Sequence, residues 1–166
     1  ADERRVLSFN GIEISDTLFV AEEYISALVV GLQNELWVGT YGSGLRYLNQ
    51  SGVLLYTTEN SSLPSNEITE IAINMQNSDV WVAFGTTNNG ILQIKNGVWT
   101  IHDLALKFGA GYLYFEFLQV DKSGNLWFTV YTESGSNLHK FDGTNLANVT
   151  PIIDGLAIEC RASKIL

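Results

Sequence analysis

The amino-acid sequence predicts an all-β protein made of tandem repeats, each folded into one four-stranded antiparallel sheet. Three tryptophans, Trp37, Trp81 and Trp127, recur 44 and 46 residues apart within similar segments. An apolar run precedes each of them, and two more strand-like segments follow it, separated by turns that contain glycine. Strands and turns that repeat with a fixed period of about 45 residues are typical of repeat architectures.

Each repeat offers four strand-length runs that are rich in β-branched and aromatic residues and bounded by turn residues. The second runs contain the tryptophans and read NELWVGT, SDVWVAF and GNLWFTV, beginning at residues 34, 78 and 124. The first runs are apolar, at 27–30, 71–73 and 117–120, and the third lie at 44–48, 90–94 and 136–141. Tight hairpin turns are predicted by the pairs that come next: Ser51-Gly52, Asn96-Gly97 and Asp142-Gly143.

A four-stranded repeat of this period is that of a β-propeller, in which each repeat forms one blade. The phased tryptophans favour this fold over a β-sandwich, whose strands are irregularly spaced. We therefore predict three complete blades, with partial blade strands at both ends: blades at 27–67, 68–112 and 113–153, and partial strands within 1–26 and 154–166. Residues 4–9 resemble the fourth strand of a blade and residues 156–162 the first, while residues 18–30 mix helix and strand formers.

Three blades are too few for an ordinary closed ring, which needs at least four. The chain is therefore expected to be a partial propeller that belongs to a longer protein, or a propeller whose ring is closed by homo-oligomerisation. An open ring would otherwise expose sheet faces and edges to water.

Charge and composition exclude several functional classes. Acidic residues outnumber basic ones by 18 to 9, giving a formal net charge of −9, and such a surface repels the phosphate backbone of nucleic acids. No apolar stretch is long enough for a membrane span. The single cysteine, Cys160, excludes an intramolecular disulfide and a cysteine-rich metal site. We expect no nucleic-acid partner, no membrane span in this chain and no cofactor.

The first repeat carries the clearest family resemblance. Residues 34–47 read NELWVGTYGSGLRY and resemble the signature of two-component regulator propeller repeats, and residues 58–68, TENSSLPSNEI, resemble the link between blades in that family. In the second repeat, Ala83 and Phe84 stand where the signature has Gly-Thr. The third repeat, DKSGNLWFT at 121–129, is similar instead to virginiamycin B lyase-type propellers.

The resemblance implies a bacterial sensing module, periplasmic or extracellular, of a kind that precedes a membrane span and a signalling kinase. It also implies ligands of the oligosaccharide class. The leading hypothesis is therefore a non-enzymatic sensor that binds a small polar ligand, such as a glycan, or a protein. Two alternatives stay open: a lyase-like propeller enzyme with a divalent metal, and a scaffold that acts through self-assembly.

In a propeller, the loops between the fourth and first strands and between the second and third strands (the D–A and B–C loops) share one face, where ligands usually enter. Amides, hydroxyls and an aromatic ring in these loops are the chemistry of sugar binding. Phe108, in a D–A loop, is expected to be the exposed aromatic. The candidate ligand-binding residues are Tyr41, Ser43, Asn66, Thr86, Asn88, Asn89, Thr132 and Glu133.

The remaining tryptophan and the histidines carry weaker signals. The three phased tryptophans are expected to pack between blades, whereas Trp99 falls out of phase on an outer strand and is a candidate for an exposed contact. A metal site would need His102 and His139, on strands of different blades, to converge with a carboxylate such as Asp103. No motif for acyl transfer or phosphate binding occurs. The sequence therefore predicts no catalytic residue and no metal ligand.

Overall fold

The computed structural model describes residues 4–21, 23–85, 90–104, 108, 114–132, 135–149, 152–153 and 156–157. The predicted all-β fold is confirmed: the described strands form three four-stranded antiparallel sheets and two two-stranded ones. Within these residues, no helix has the length and apolar character that crossing a membrane requires.

The strands follow one another along the chain as meanders. The first two, Arg4–Phe9 (β1) and Ile14–Ala21 (β2), pair as a hairpin. Blade 1 consists of Ile25–Val30 (β3), Leu36–Thr40 (β4), Leu45–Asn49 (β5) and Gly52–Tyr56 (β6). Blade 2 consists of Ile68–Ile73 (β7), Val80–Phe84 (β8), Gly90–Lys95 (β9) and Val98–Asp103 (β10). Blade 3 consists of Tyr114–Val120 (β11), Leu126–Thr132 (β12), Gly135–Phe141 (β13) and Leu146–Asn148 (β14). A short pair follows, Ile152–Ile153 (β15) and Leu156–Ala157 (β16).

The turn between the first and second strands contains one left-handed residue at the same position in every blade, although the turn of blade 2 is one residue longer. Asn34, Ser78 and Gly124 lie three residues before the repeated tryptophans and have positive φ angles of 59°, 61° and 84°. Asparagine and glycine tolerate this left-handed conformation better than other residues, so Asn34 and Gly124 favour the turn in blades 1 and 3. The turn therefore recurs in phase with the tryptophans.

The second strands of blades 1 and 2 are buried on both faces, and each contributes to two interfaces. In β8, Val80, Val82 and Phe84 pack in a cluster with blade 1. Trp81 and Ala83, which point the other way, pack in a cluster with blade 3. Alternation of side chains along a strand thus joins consecutive sheets face to face, as propeller packing requires.

Three apolar layers result, one in each gap between consecutive sheets from the β1–β2 hairpin to blade 3. The first joins the β1–β2 hairpin to blade 1 through Val6, Leu36, Val38 and Leu48. The second lies between blades 1 and 2, and the third between blades 2 and 3. Trp37 belongs to the second layer and Trp81 to the third, which confirms for these two that the repeated tryptophans pack between blades.

Close approach of blades 1 and 2 depends on Gly39. A Cβ atom at this position would lie 2.5 Å from Cγ2 of Ile68 and 3.3 Å from Cδ1 of Ile71, both on the first strand of blade 2. The corresponding residues of the next two blades are Ala83 and Thr129. The glycine of the family signature therefore has a packing role here, which is to admit a side chain of the following blade.

The ends of the chain depart from the prediction. Residues 4–9 form a strand, but β2, rather than β1, leads directly into blade 1, so β1 takes the third place of a blade and not the fourth. The reason is a turn at residues 10–13, where the side chain of Asn10 accepts hydrogen bonds from the backbone N–H groups of Ile12 and Glu13. The ambiguous segment 18–30 is strand on both sides of a short break. Of residues 156–162, only 156–157 lie in the described chain, as β16.

Candidate functional site

A cluster of tyrosines lies at the end of the blades that carries the D–A and B–C loops. Tyr24 and Tyr41 belong to blade 1, and Tyr114 and Tyr131 belong to blade 3, where they are paired neighbours on adjacent strands. Glu67 occupies the corresponding position at the start of the first strand of blade 2, where it forms a β-bridge with Tyr41. We call these five residues the tyrosine rim.

The rim tyrosines combine exposure with mutual contact. The exposed fractions of Tyr24, Tyr41 and Tyr131 are 63%, 43% and 49%, which are high for aromatic residues. The hydroxyls of Tyr41 and Tyr114 lie 3.4 Å apart although the two residues are 73 positions apart in sequence. The rim therefore presents aromatic planes and phenolic hydroxyls from two different blades to the same volume of solvent.

Blade 2 contributes a carboxylate instead of an aromatic ring. Gly85 stands where blades 1 and 3 have Tyr41 and Tyr131, and its N–H donates a hydrogen bond of 3.0 Å to the carbonyl of Glu67. A Cβ atom on Gly85 would lie 2.3 Å from the Glu67 carboxyl group. Because the glycine has no side chain, the carboxylate of Glu67 can lie directly over it.

Each first strand is irregular two residues beyond its rim position. The pairing register shifts at Ser26, Thr69 and Glu116, one in each blade. Among the described residues, the hydroxyls of Ser26 and Thr69 are buried and meet no hydrogen-bonding partner, whereas Glu116 accepts a hydrogen bond from Ser136 at 3.1 Å. Bulges redirect side chains and are common next to binding sites, so the three irregularities mark the same end of the sheets as the rim.

The structure brings three of the predicted ligand-binding residues to this end. Tyr41 lies on the rim itself. Ser43 is half-buried, and its backbone N–H donates to the hydroxyl of Thr40 at 3.0 Å. Asn66 is half-buried as well, and its side-chain oxygen accepts a hydrogen bond of 2.9 Å from the N–H of Thr58. Asn66 therefore stabilises the D–A loop, which leaves Tyr41 as the most accessible of the three.

The other predicted ligand-binding residues are not placed. Thr132 ends β12, and its side chain is outside the described part of the structure. Four more lie outside the described residues altogether: Thr86, Asn88, Asn89 and Glu133. Cys160 lies outside them too. Their roles stay predictions.

Sequence reasoning missed four of the five rim residues. A strand-by-strand alignment of the repeats could have found them, because it places Tyr24, Glu67 and Tyr114 at one position. The same alignment places Tyr41 and Tyr131 at a second shared position, which Gly85 occupies in blade 2. The predicted ligand-binding residues come from the loops, whereas the rim is formed by the ends of the strands.

Two aromatic residues expected to be exposed are packed instead. Phe108 is half-buried with its ring perpendicular to that of His139, 4.7 Å away, and its N–H donates a hydrogen bond to the carbonyl of Leu104. Trp99 is half-buried with its ring edge against Tyr56 at 5.1 Å. Both rings are therefore partly buried rather than fully exposed, since each contacts an aromatic partner.

The histidines pack separately and do not form a shared site. Nε2 of His102 lies 3.2 Å from the side-chain oxygen of Gln93, and Nδ1 of His139 lies 3.2 Å from the carbonyl of Asn137. Burial lowers the pKa of His139 below its usual value. In the described ranges, no three histidine, cysteine or acidic side chains gather as metal ligands would.

Comparison with solved structures shows the propeller fold. The chain matches virginiamycin B lyase from Staphylococcus aureus with a TM-score of 0.61 and 15% identity, covering 81% of this chain and 44% of the lyase. It matches the extracellular domain of a one-component system from B. thetaiotaomicron with a TM-score of 0.61 and 17% identity, covering 76% of this chain and 18% of that domain. A further match, described as the extracellular domain of a hybrid two-component system from B. thetaiotaomicron, has a TM-score of 0.59 and 21% identity. It covers 81% of this chain and 17% of that domain.

Both resemblances in the sequence thus recur among the structural matches. The chain spans less than half the length of the lyase and less than a fifth of the extracellular domains. No protein-family model and no curated protein matches it. At these identities the likeness establishes the blade architecture.

Proposed function

We propose that this chain is a non-enzymatic sensor module that binds a small polar ligand, such as a glycan, at the tyrosine rim. One observation carries the proposal: tyrosines of two blades converge at the loop face, with the hydroxyls of Tyr41 and Tyr114 3.4 Å apart. Tyrosine rings stack on the apolar faces of sugars, and their hydroxyls both donate and accept hydrogen bonds. The carboxylate of Glu67 adds an acceptor for two neighbouring sugar hydroxyls.

A location outside the cytoplasm, periplasmic or extracellular, goes with this proposal. It is supported by the matches to extracellular domains of one-component and two-component systems. Binding at the rim would then be the input of a signalling protein. Because the chain spans a small share of those domains, the proposal concerns the input alone.

We also propose that a second copy of this chain closes the ring. The β1–β2 hairpin packs on blade 1 through Val6, while Leu7, Leu18 and Val20 are exposed. Exposed apolar residues on a sheet are a common site of association. Light scattering on a sizing column should give a molar mass of two or more chains, and a monomer across the micromolar range would contradict this.

Ligand screening tests the rim directly. A glycan and metabolite screen, followed by calorimetry on each hit, should find a ligand whose affinity falls about tenfold or more in the variants Tyr41→Ala and Tyr131→Ala. Met75→Ala is the matched control, since Met75 is an exposed apolar residue at the opposite end of blade 2. Affinity that is unchanged in both tyrosine variants would contradict the proposal.

Elemental analysis separates this function from a metal-dependent lyase. A purified sensor is expected to contain no stoichiometric divalent metal. One tightly bound divalent ion per closed ring would contradict the non-enzymatic proposal and favour the lyase.

A further inference from the structure

A cleft of about 330 Å³ opens between blades 1 and 2 at the end opposite to the tyrosine rim. Its walls include Trp37, Tyr47 and Tyr56 from blade 1 and Trp99 from blade 2, and Glu35 lies beside them. Turn residues of both blades form its polar edge. We call this the interblade cleft, and it is independent of the rim because no residue belongs to both.

The aromatic walls meet at several angles. The rings of Trp37 and Tyr56 are nearly parallel, at 19°, with centroids 6.3 Å apart. Tyr47 is tilted by 47° against Trp37 at 4.6 Å, and Trp99 meets Tyr56 edge-on at 65°. Rings in differing orientations around one volume are the arrangement that receives organic cations, because each ring face carries partial negative charge.

Glu35 supplies a formal negative charge to the same cleft. Its side chain is largely buried, with 8% of the residue exposed, and its Oε2 accepts a hydrogen bond of 2.7 Å from the N–H of Gln33. Among the described residues, no lysine or arginine is paired with this carboxylate. A buried carboxylate without a cation is costly, so the site favours a positively charged partner.

The other blades contain such a cation within their own sequence. Asp79 occupies the position of Glu35 in blade 2, with 5% of the residue exposed, and its Oδ2 lies 3.3 Å from Nζ of Lys95. In blade 3, the ammonium of Lys140 lies 5.7 Å from the ring centre of Trp127. The corresponding positions of blade 1 hold Asn49 in place of Lys95 and Tyr47 in place of Lys140. Blade 1 therefore keeps the acid and the aromatic ring but lacks the lysine.

We propose that the interblade cleft binds a small organic cation, an ammonium group that carries apolar substituents. The ammonium charge is neutralised by Glu35, as Lys95 neutralises Asp79 in the next blade. The apolar substituents lie against the faces of Trp37, Tyr47 and Trp99. A volume of about 330 Å³ admits a molecule of the size of choline.

Titration with choline chloride, followed by tryptophan fluorescence, tests this site. Two of its walls are tryptophans, so a ligand in the cleft should give a saturable change. Sodium chloride at matched ionic strength corrects for screening of the chain's net charge. The uncharged isostere 3,3-dimethylbutan-1-ol should bind about tenfold more weakly, because it lacks the charge that Glu35 and the rings recognise. Equal affinity of the two compounds, or no saturable change with choline, would overturn the proposal.

Two variants identify the residues responsible. Glu35→Gln removes the charge but retains an oxygen for the Gln33 N–H, and should weaken choline binding about tenfold. Asn49→Lys places a lysine where blade 2 has Lys95, and should abolish binding by supplying the cation within the chain. Glu59→Gln is the control, since it removes an exposed acid at the other end of the blade.

Urea unfolding of each variant shows that it is folded before its titration is interpreted. Loss of binding in Glu35→Gln and Asn49→Lys, with full binding in Glu59→Gln, is the expected result. Unchanged binding in a folded Asn49→Lys, or an equal loss in Glu59→Gln, would show that choline is not held in the cleft. Neither result depends on the tyrosine rim.

Discussion

The two interfaces between blades share one backbone frame but differ in how completely they close. Between blades 2 and 3, Trp81 packs nearly perpendicular to Phe141, with ring centroids 6.1 Å apart. Between blades 1 and 2, the position of Phe141 is taken by Ile94, and Trp37 borders the cleft. The smaller side chain leaves open a volume that a phenyl ring fills in the next interface. In a densely packed repeat protein, one residue's volume thus decides whether an interface is a closed core or a cleft.

The two interfaces also differ in how their buried carboxylates are paired. The closed interface contains Asp79 with its lysine and with Gln93, whose amide donates to the same carboxylate oxygen at 3.2 Å. The open interface contains Glu35 with a backbone donor. Packing and charge therefore distinguish the cleft independently, and each can be altered separately.

The largest expected effect comes from removing the tryptophan of the closed interface. Trp81→Ala deletes a ring that is almost wholly buried between two sheets, and should lower the free energy of unfolding by about 3–5 kcal/mol. Trp37→Ala should cost less, by about 2–3 kcal/mol, because Trp37 is also buried, with 8% of the residue exposed, but one side of its ring borders the cleft. Urea denaturation followed by circular dichroism measures both. An equal or larger cost for Trp37→Ala would contradict the difference between the interfaces.

An intermediate effect is expected at the second-strand position that holds Gly39 in blade 1 and Ala83 in blade 2. Glycine to alanine within a strand is normally neutral or stabilising. Gly39→Ala should instead destabilise by about 1–3 kcal/mol, because its Cβ would approach Cγ2 of Ile68 to 2.5 Å. The reverse change, Ala83→Gly, is the matched control and should cost about 1 kcal/mol through lost packing and greater chain entropy. A stabilised Gly39→Ala protein would show that the two blades are less closely packed than described.

The smallest expected effect concerns the third tryptophan, whose indole N–H donates to Oδ2 of Asp121 at 2.8 Å. This bond and those from Asn125 and Ser123 hold the pKa of Asp121 well below its usual value. Hydrogen bonds from Asn145 and Thr144 likewise lower the pKa of Asp142 to about 2. A depressed carboxyl pKa contributes stability that is present above the unfolded value near 4 and is lost as the pH falls towards the folded value.

Unfolding measured between pH 7 and pH 2 tests this contribution. The wild-type chain should lose stability below about pH 4, and Asp121→Asn should lose less over the same interval because it has no carboxyl to protonate. Substitution of the exposed Glu13 by glutamine serves as the comparison. Identical pH profiles for the wild type and Asp121→Asn would show that the hydrogen bonds to Asp121 do not survive in solution.

The repeat could be predicted from the sequence because it depends on local signals. Strand runs, turn glycines and the phased Trp37 and Trp81 each identify an element without knowledge of the rest. The packing of Trp99 could not be predicted, because its partner Tyr56 belongs to the preceding blade and only the stacking of sheets brings them together. The strand β2 lies within residues 1–26, where partial blade strands are predicted, but its bounds could not be given because its residues mix polar and apolar types that an outer strand tolerates.

The candidate site likewise contains residues that the sequence identifies and residues that only the stacking of the blades reveals. Tyr41 follows directly from the loop that the repeat defines, so the sequence identifies it. Tyr114 lies on another blade, 73 positions along the chain, so only the stacking of the blades brings its hydroxyl to 3.4 Å from that of Tyr41. The cleft was beyond prediction as well, because it results from the absence of a phenyl ring and of a lysine at positions that only superposed blades reveal.

Binding of a small polar ligand at the tyrosine rim can be measured by nuclear magnetic resonance of the chain with ¹³C-labelled tyrosine rings. Pools of oligosaccharides are titrated, and resonances are assigned with single Tyr→Phe variants. Binding at the rim should give saturable shifts of Tyr24, Tyr41 and Tyr131, with Tyr47 and Tyr56 in the interblade cleft unchanged. Shifts confined to Tyr47 and Tyr56, or no saturable shift of any rim tyrosine, would contradict it.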